Sequence, residues 1–358
     1  MAHILVTGGA GYIGSTLVPM LLNAGHHVVV LDRFFFGRQS LDDDVALTVI
    51  RDDSRLLTES VFEGIDAVID LAGVSNDNTG ETFQKATWDI NWQSRVRTAR
   101  MAKAAGVRRY ILPSSCSVYG FQPSGCVADE TSPSNPLTTY AKANVKAERD
   151  VLPLGNDNFT VIALRQATVY GFSPRMRFDL AVNGMTYSAW TTGKLSIMGD
   201  GTQWRPMIHV SDVALAIMFM LDAPAERVSG QVFNVGSASD CYQIGALGEV
   251  VSRCVGRRVE IEWYGEPDRR SYNVDFQKIE RLGYRTKLNV EDGVMEICAA
   301  LEAKKIDRTA DTITLEWYKN LAKWYEIVKE VELYGGMLDI PLERFVDTVP
   351  ASDWDAAE

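Results

Sequence analysis

A glycine cluster and an acid downstream of it are the first residues in this 358-residue chain whose types and spacing could do chemistry. Gly8, Gly9, Gly11 and Gly14 lie between a short apolar run, residues 3–7, and a helical pattern with Ile13, Leu17, Leu21 and Leu22 on one side. Gly25 stops that pattern, residues 28–31 form a second apolar run, and Asp32 closes it. Glycines at such a turn let the backbone approach a pyrophosphate closely, and the helix that follows offers free N–H groups and the positive end of its dipole. Asp32 falls about 18 residues past Gly14, where a carboxylate accepts both hydroxyls of an adenosine ribose. A bound dinucleotide is therefore expected. Asp32 repels a 2′-phosphate, which favours NAD over NADP, whereas Arg33 is a basic neighbour able to accept that phosphate.

The elements that position these residues follow from periodicity. Short apolar runs at 3–7, 28–31, 47–51, 65–72, 108–112 and 160–165 read as strands. Between them lie the helix after Gly14, one capped by Ser54 and running to about Gly64, a long helix over 81–105 ended by Gly106, and one over 140–150. This alternation predicts an α/β fold, a Rossmann-type doubly wound parallel sheet with ligands at the carboxyl ends of its strands. After Tyr170 the pattern changes. Residues 232–235 are expected to return to the sheet, with 244–255 helical and 259–263 extended. The expected organisation is an NAD-binding domain over 1–170 with returns near 206–255, and a smaller interleaved α+β substrate domain from 171–205 and 256–300. A C-terminal extension, 301–358, is expected to hold an amphipathic helix over 314–334, for core or subunit packing, and a frayed acidic end at 351–358.

Three further groups stand out: Ser114–Gly120 (SCSVYG after a serine), Tyr140 with its helix, and Gly199–Arg205 (GDGTQWR). With TGGAGYIG, the turn Asp70-Leu71-Ala72-Gly73, Asn91, RQATVYG at 165–171, FNVG at 233–236 and DRRSY at 268–272, they make the chain resemble the extended short-chain dehydrogenase/reductase family, particularly its nucleotide-sugar epimerases and dehydratases. The resemblance covers roughly residues 1–295. It implies a cofactor site of Gly8, Gly11, Tyr12, Ile13, Gly14, Asp32, Arg33, Asp52, Asp53, Leu71, Ala72, Gly73 and Asn91, with Asp52 either facing the adenine amino group or serving a helix start. It implies that Tyr140 is the acid/base and Ser115 its hydrogen-bonding partner, with Ser117 and Asn144 beside them. A phenol of pKa near 10 needs nearby positive charge to take a proton from a sugar hydroxyl at neutral pH.

One departure bears on that chemistry. The family places a lysine four residues after the tyrosine, on the same helix face; here the residue is Asn144. Lys142 and Lys146 point about 200° and 240° around the helix from Tyr140. Three explanations stand: a tyrosine of higher pKa, a cation entering from elsewhere, or a protein that binds NAD without turnover. The family's 4,6-dehydratases carry Asp-Glu after the Ser/Thr, whereas Cys116 and Ser117 stand here. Neither is an acid able to drive loss of water, and Cys116 is expected to be a packed thiol. The remaining pattern is that of a simple 4-epimerase. Arg205 and Arg270 match positions that grip a diphosphate, with surface or interdomain ion pairs as the competing role. Asn183, Thr168, Arg175 and Arg177 are further substrate-side candidates, and His209 is expected to serve structure.

Composition bounds the rest. A net charge of −11 argues against a nucleic-acid partner, and 46% hydrophobic with 23% charged residues is ordinary for a globular protein. No run approaches the roughly 20 apolar residues of a membrane span, and no secretory signal pattern opens the sequence. Five scattered cysteines and four histidines without ligand spacing predict free thiols, no metal site and a cytoplasmic setting. The reading is an NAD-dependent epimerase of a nucleotide-diphosphate sugar, acting at C4 through a transient 4-keto intermediate, as a homodimer. A nucleotide-sugar oxidoreductase and a non-catalytic NAD-binding protein are the alternatives.

Overall fold

The computed structural model describes residues 1–333, apart from residues 39, 124 and 267. The expected frayed end at 351–358 lies outside the described residues. Seven strands form one sheet: β1 (His3–Thr7), β2 (His27–Asp32), β3 (Leu47–Arg51), β4 (Ala67–Asp70), β5 (Arg109–Ser115), β6 (Thr160–Gln166) and β7 (Gln231–Val235). Their order across the sheet is β7-β6-β5-β4-β1-β2-β3, and every neighbouring pair is parallel. The chain builds outward from β1 to β3 and then restarts on the other side of β1 with β4. The crevice for a ligand opens at that reversal, above the carboxyl ends of β1 and β4. Alternating residues of β1 feed two cores. Ile4 and Val6 pack with Leu17 and Val18 of α1 (Gly14–Asn23), whereas Leu5 packs with Leu31, Val68, Tyr110 and Leu112. A strand buried on both faces has to be apolar at every position, as this one is between His3 and Thr7.

Two expected helices differ in the structure. Residues 54–64 form two 3-10 turns, Ser54–Leu56 and Glu59–Phe62, and the first is capped by Asp53 rather than Ser54. The Asp53 carboxylate reaches the Arg55 N–H, and the extended residues Leu57 and Thr58 separate the two turns. The long helix over 81–105 is broken into α2 (Asp77–Thr82), α3 (Gln84–Trp88), a π-helical stretch at Asp89–Ser94 and α4 (Arg95–Ala104). Phe83 leaves the helical region, and the widened turns at 89–94 hold the buried Asn91, whose amide exchanges two hydrogen bonds with the backbone of Val74. Widened turns of this kind recur at functional sites. The strand expected over 65–72 ends at Asp70, so Leu71, Ala72 and Gly73 are turn.

Residues after β6 add a three-stranded sheet of Thr168–Tyr170, Trp204–His209 and Cys241–Gln243, and a pair, Lys194–Met198 with Glu260–Tyr264. Their core gathers Tyr170, Val182, Leu195, Ile197, Leu247, Val251 and Val294. Met1–Thr314 is one compact unit and Leu315–Glu358 a second. A helix over Thr314–Leu333 opens the second, with Trp317 and Trp324 packed edge to face at 5.4 Å. Among the described residues no helix is long and apolar enough to cross a membrane.

Candidate active site

The glycine turn is shaped by close backbone approach. Gly8 adopts φ +70°, and a Cβ there would lie 2.8 Å from the backbone nitrogen of Ala72. A Cβ on Gly14 would lie 2.4 Å from the carbonyl oxygen of Gly9, so α1 can start this near the turn only with glycine. Gly11 meets only the Gly8 carbonyl oxygen, leaving its outer side open. Asp32 accepts hydrogen bonds from the N–H groups of Ala10 (3.1 Å) and Phe34 (2.8 Å). Burial raises its pKa and these N–H groups oppose the rise. The Arg33 guanidinium is engaged by Asp53 at 2.5 Å and lies over the Phe35 ring, which leaves it poorly placed to serve a 2′-phosphate. Asp53 also pairs with Arg55, and the two arginines hold its carboxyl far below the usual range. Asp52 accepts the Asp53 N–H at 2.7 Å. A glycine cradle, a helix N-terminus and a carboxylate with oxygen lone pairs to spare form a donor and acceptor set that fits NAD. When bound, NAD supplies a reversible hydride acceptor.

Several expected cofactor residues act at one remove. Tyr12 turns its hydroxyl to the Gly171 carbonyl (2.7 Å), so only its backbone and that of Ile13 face the turn. Ala72 donates its N–H to Thr7 Oγ1, and Asn91 holds the following turn. Asn183 is fully buried; its Oδ1 accepts from Gly171 N–H and its Nδ2 donates to Tyr12 Oη and Arg177 O. The expectation that it presents an amide to a ligand is replaced by a bracing role, because both ends of the amide are engaged inside the protein.

Across the crevice, Ser115 ends β5 and caps the 3-10 turn Cys116–Tyr119, accepting the Ser117 N–H at 3.2 Å. Ser117 Oγ is buried with no hydrogen-bond partner among the described residues. Cys116 points away, donating to the Arg165 carbonyl, and burial pushes its thiol well up. Tyr140 is the second residue of α5 (Thr139–Val151), which Thr138 caps through the Ala141 N–H. Gly80 makes room for it, since a Cβ there would lie 3.0 Å from the Tyr140 Cβ. Burial raises the Tyr140 phenol above its ordinary value; the Arg95 guanidinium pulls it down, the Asp77 carboxylate pushes it up, and hydrogen bonding with Ser115 and Asn144 pulls it down. Asn144 is buried, donating to the Tyr140 carbonyl (3.2 Å) and accepting from Arg95 Nη1 (2.8 Å).

Arg95 and Asp77 are not among the residues that the sequence singles out. Arg95 sits in a helical stretch of mixed polarity, where an arginine reads as a solvated face. Its burial against α5 follows from how the widened turns deliver α4, which periodicity does not reveal.

Three of the substrate-side cations come already paired. Arg270 binds Asp268 through two nitrogens and reaches Asp77, whose other oxygen accepts Thr138 Oγ1–H at 2.5 Å. Arg205 donates to Asp268 at 3.0 Å and lies over the Tyr272 ring. Arg177 pairs with Asp179 and donates to Ser75 Oγ. Arg175 stacks on the Phe36 ring at 3.6 Å. Thr168 begins its short strand, partly exposed. His209 accepts the Ser211 N–H on Nδ1 and meets Glu296 through Nε2, a helix-start role. Among the described residues no group of three or more potential metal ligands gathers.

The profile of the NAD dependent epimerase/dehydratase family matches residues 4–236. The chain belongs to that family, and its cofactor is NAD. It is 28% identical to a UDP-glucose 4-epimerase of Bacillus subtilis (strain 168) over 329 residues, covering 83% of this chain and 94% of that one. It is 26% identical to a dTDP-glucose 4,6-dehydratase of Streptomyces niveus over 348 residues, covering 91% and 96%. Among solved structures, MoeE5 in complex with UDP-glucuronic acid and NAD superposes with a TM-score of 0.75 at 30% identity, over 84% of this chain and 99% of that one.

Proposed function

We propose that the chain is an NAD-dependent epimerase that inverts C4 of a nucleoside-diphosphate sugar through a transient 4-keto sugar. The observation that carries this reading is Tyr140 in the first turn of α5, where Ser115 and Asn144 help draw its phenol down, with no acid at 116 or 117. Tyr140, as phenolate, takes the proton of the sugar 4-hydroxyl as hydride leaves C4, and returns it when hydride comes back on the other face. Ser115 donates to the developing carbonyl oxygen, and Ser117, with its unpartnered hydroxyl, contacts the sugar. Loss of water from the sugar would need a further proton donor and base at the neighbouring carbons. The thiol of Cys116, turned away and raised in pKa, serves as neither.

Gly8, Gly11 and Gly14 with the N–H groups of Tyr12 and Ile13 hold the pyrophosphate of NAD, and Asp32 holds the adenosine ribose. Arg205 and Arg270 hold the diphosphate of the sugar nucleotide, exchanging carboxylate partners for phosphate oxygens. Relatives that act on UDP-, dTDP- and related sugars support the substrate class. Two copies packed through the outer faces of α4 and α5 form the expected dimer, which light scattering tests. The test of activity is incubation of the pure protein with UDP-, GDP-, CDP- and dTDP-sugars. Inversion at C4 with no net change in absorbance at 340 nm is the expected result. A stoichiometric 340 nm change would indicate net oxidation or reduction, and no turnover alongside clear NAD binding would overturn the reading.

A further inference from the structure

We propose that Arg95 provides, from α4, the fixed positive charge that the family's lysine provides one turn after the tyrosine, with Asn144 as the neutral link between guanidinium and tyrosine. The inference rests on reading Tyr140 as the acid/base.

Arg95 is only 6% exposed. Its Nη1 donates to Asn144 Oδ1 at 2.8 Å and its Nη2 to the Ala72 carbonyl at 3.3 Å, while Nε has no partner among the described residues. Both acceptors are neutral. Among the described residues no carboxylate oxygen lies within 4 Å of the Arg95 guanidinium. Four other cations of the site are matched by carboxylates: Arg165 by Glu148, Arg177 by Asp179, Arg205 and Arg270 by Asp268. An arginine stays protonated in proteins, so it cannot escape burial by losing its charge. A buried, permanent and uncompensated charge is costly to hold, and such groups concentrate where charge serves function.

The residue between it and the tyrosine has the right chemistry. An amide at 144 fixes the guanidinium and bonds the Tyr140 carbonyl without cancelling charge, whereas a carboxylate there would neutralise it. Loss of the lysine and gain of the arginine therefore belong to one arrangement. The charged groups facing Tyr140 are Asp77 from α2, Arg177 from the segment after Thr168–Tyr170, and Arg95 from α4. Asp77 is tied to Arg270 and Arg177 to Asp179, so Arg95 is the one of the three without a counter-charge. It acts on the reaction as a positioning residue, through Asn144 and through its field.

The experiment follows the phenol itself. The full chain, loaded with NAD and carrying tyrosine labelled with carbon-13 at Cζ, is titrated by NMR, with Tyr140→Phe assigning the signal. Arg95→Met is expected to move the Tyr140 titration upward by about 1–3 pH units, and Arg95→Lys to keep it near its wild-type position. In Arg95→Met combined with Asn144→Lys the titration returns downward. Asn144→Asp leaves the core volume unchanged and sets a carboxylate on the guanidinium, so it gives the upward movement even where Arg95→Met does not fold. A Tyr140 signal that titrates alike in wild type and in folded Arg95→Met or Asn144→Asp overturns the inference. The two readings separate cleanly. Shifted titrations without turnover of any sugar nucleotide keep the role of Arg95 and remove the epimerase, and C4 inversion with unshifted titrations does the reverse.

Discussion

Helix α5 receives two buried arginines one turn apart on the same face, and treats them differently. Arg165 of β6 meets Glu148, with contacts of 2.7 to 3.2 Å from Nε and Nη2, and its Nη1 donates to Tyr119 Oη. Tyr119 in turn donates to Asn234, and Ser114 donates to Glu148. Every strong donor there has a strong acceptor, and the charges cancel. Four residues earlier, Arg95 meets the neutral Asn144, and among the described residues no carboxylate pairs with it. The first pair ties β5, β6, β7 and α5 together beneath the crevice. The second leaves a positive field at its wall, on the side where Tyr140 stands. Burying a charge is costly in both places, but only at Glu148 is the cost offset by a counter-charge. The contrast separates a cation kept for structure from a cation kept for chemistry.

The largest expected effect tests the chemical end of that stripe. Tyr140→Phe removes the phenolic proton carrier and is expected to lower kcat by about 10²- to 10⁴-fold while NAD binding persists. Steady-state rates with the sugar nucleotide found to be inverted, beside a cofactor-binding titration, check it; a residual rate near wild type assigns the proton to another group. Next is the structural end. Glu148→Gln leaves Arg165 buried with its charge uncompensated and is expected to destabilise the fold by about 3–5 kcal/mol in chemical denaturation. A loss as small as that of a surface substitution would make the two arginines alike and dissolve the contrast. Asp32 is the acidic counterpart of Arg95, a partly buried charge that accepts from the neutral N–H groups of Ala10 and Phe34. Asp32→Asn keeps the shape and removes the charge-assisted bonds to ribose hydroxyls, so NAD affinity is expected to fall by about 10- to 100-fold. Calorimetry on the purified chain measures it, and an unchanged affinity would move the ribose contact elsewhere.

What the sequence made legible follows from how local each signal is. The glycine spacing, Asp32 and the apolar strands are set by neighbours in the chain, and the sheet matches them; the NAD cofactor follows from the same stretch. The absent lysine was visible because Asn144 sits at a fixed step from Tyr140. Its replacement was not, because Arg95 lies 49 residues from Asn144. It reaches α5 only through the break at Phe83 and the π turns at Asp89–Ser94, in a stretch whose pattern predicts one unbroken helix. Long-range pairing hid other roles too. Arg270, legible as a phosphate ligand, is joined to Asp77 across 193 residues, and Asn183, legible as a polar contact, is enclosed by Tyr12, Gly171 and Arg177.

A third buried charge sharpens the comparison by being able to vanish. Asp240 is 3% exposed, and burial with the nearby Glu291 carboxylate pushes its pKa from 3.8 up to about 6. The folded state thus holds this proton more tightly than the unfolded chain. Its stabilising effect is full below about pH 4 and is lost as pH rises through about 6. At about 1.36 kcal/mol per pH unit the limit is near 3 kcal/mol, and relaxation of the surroundings on ionisation brings the expected loss to about 1–2 kcal/mol. Asp240→Asn removes the titration, so the variant is expected to gain stability on wild type between pH 4 and pH 7. Urea denaturation at those two pH values checks it, and parallel pH dependence in the two proteins would show that Asp240 keeps its ordinary acidity. A carboxyl in this position gives up its charge below about pH 6. A guanidinium cannot, so an unmatched arginine keeps its field at a pH where this acid has lost its own.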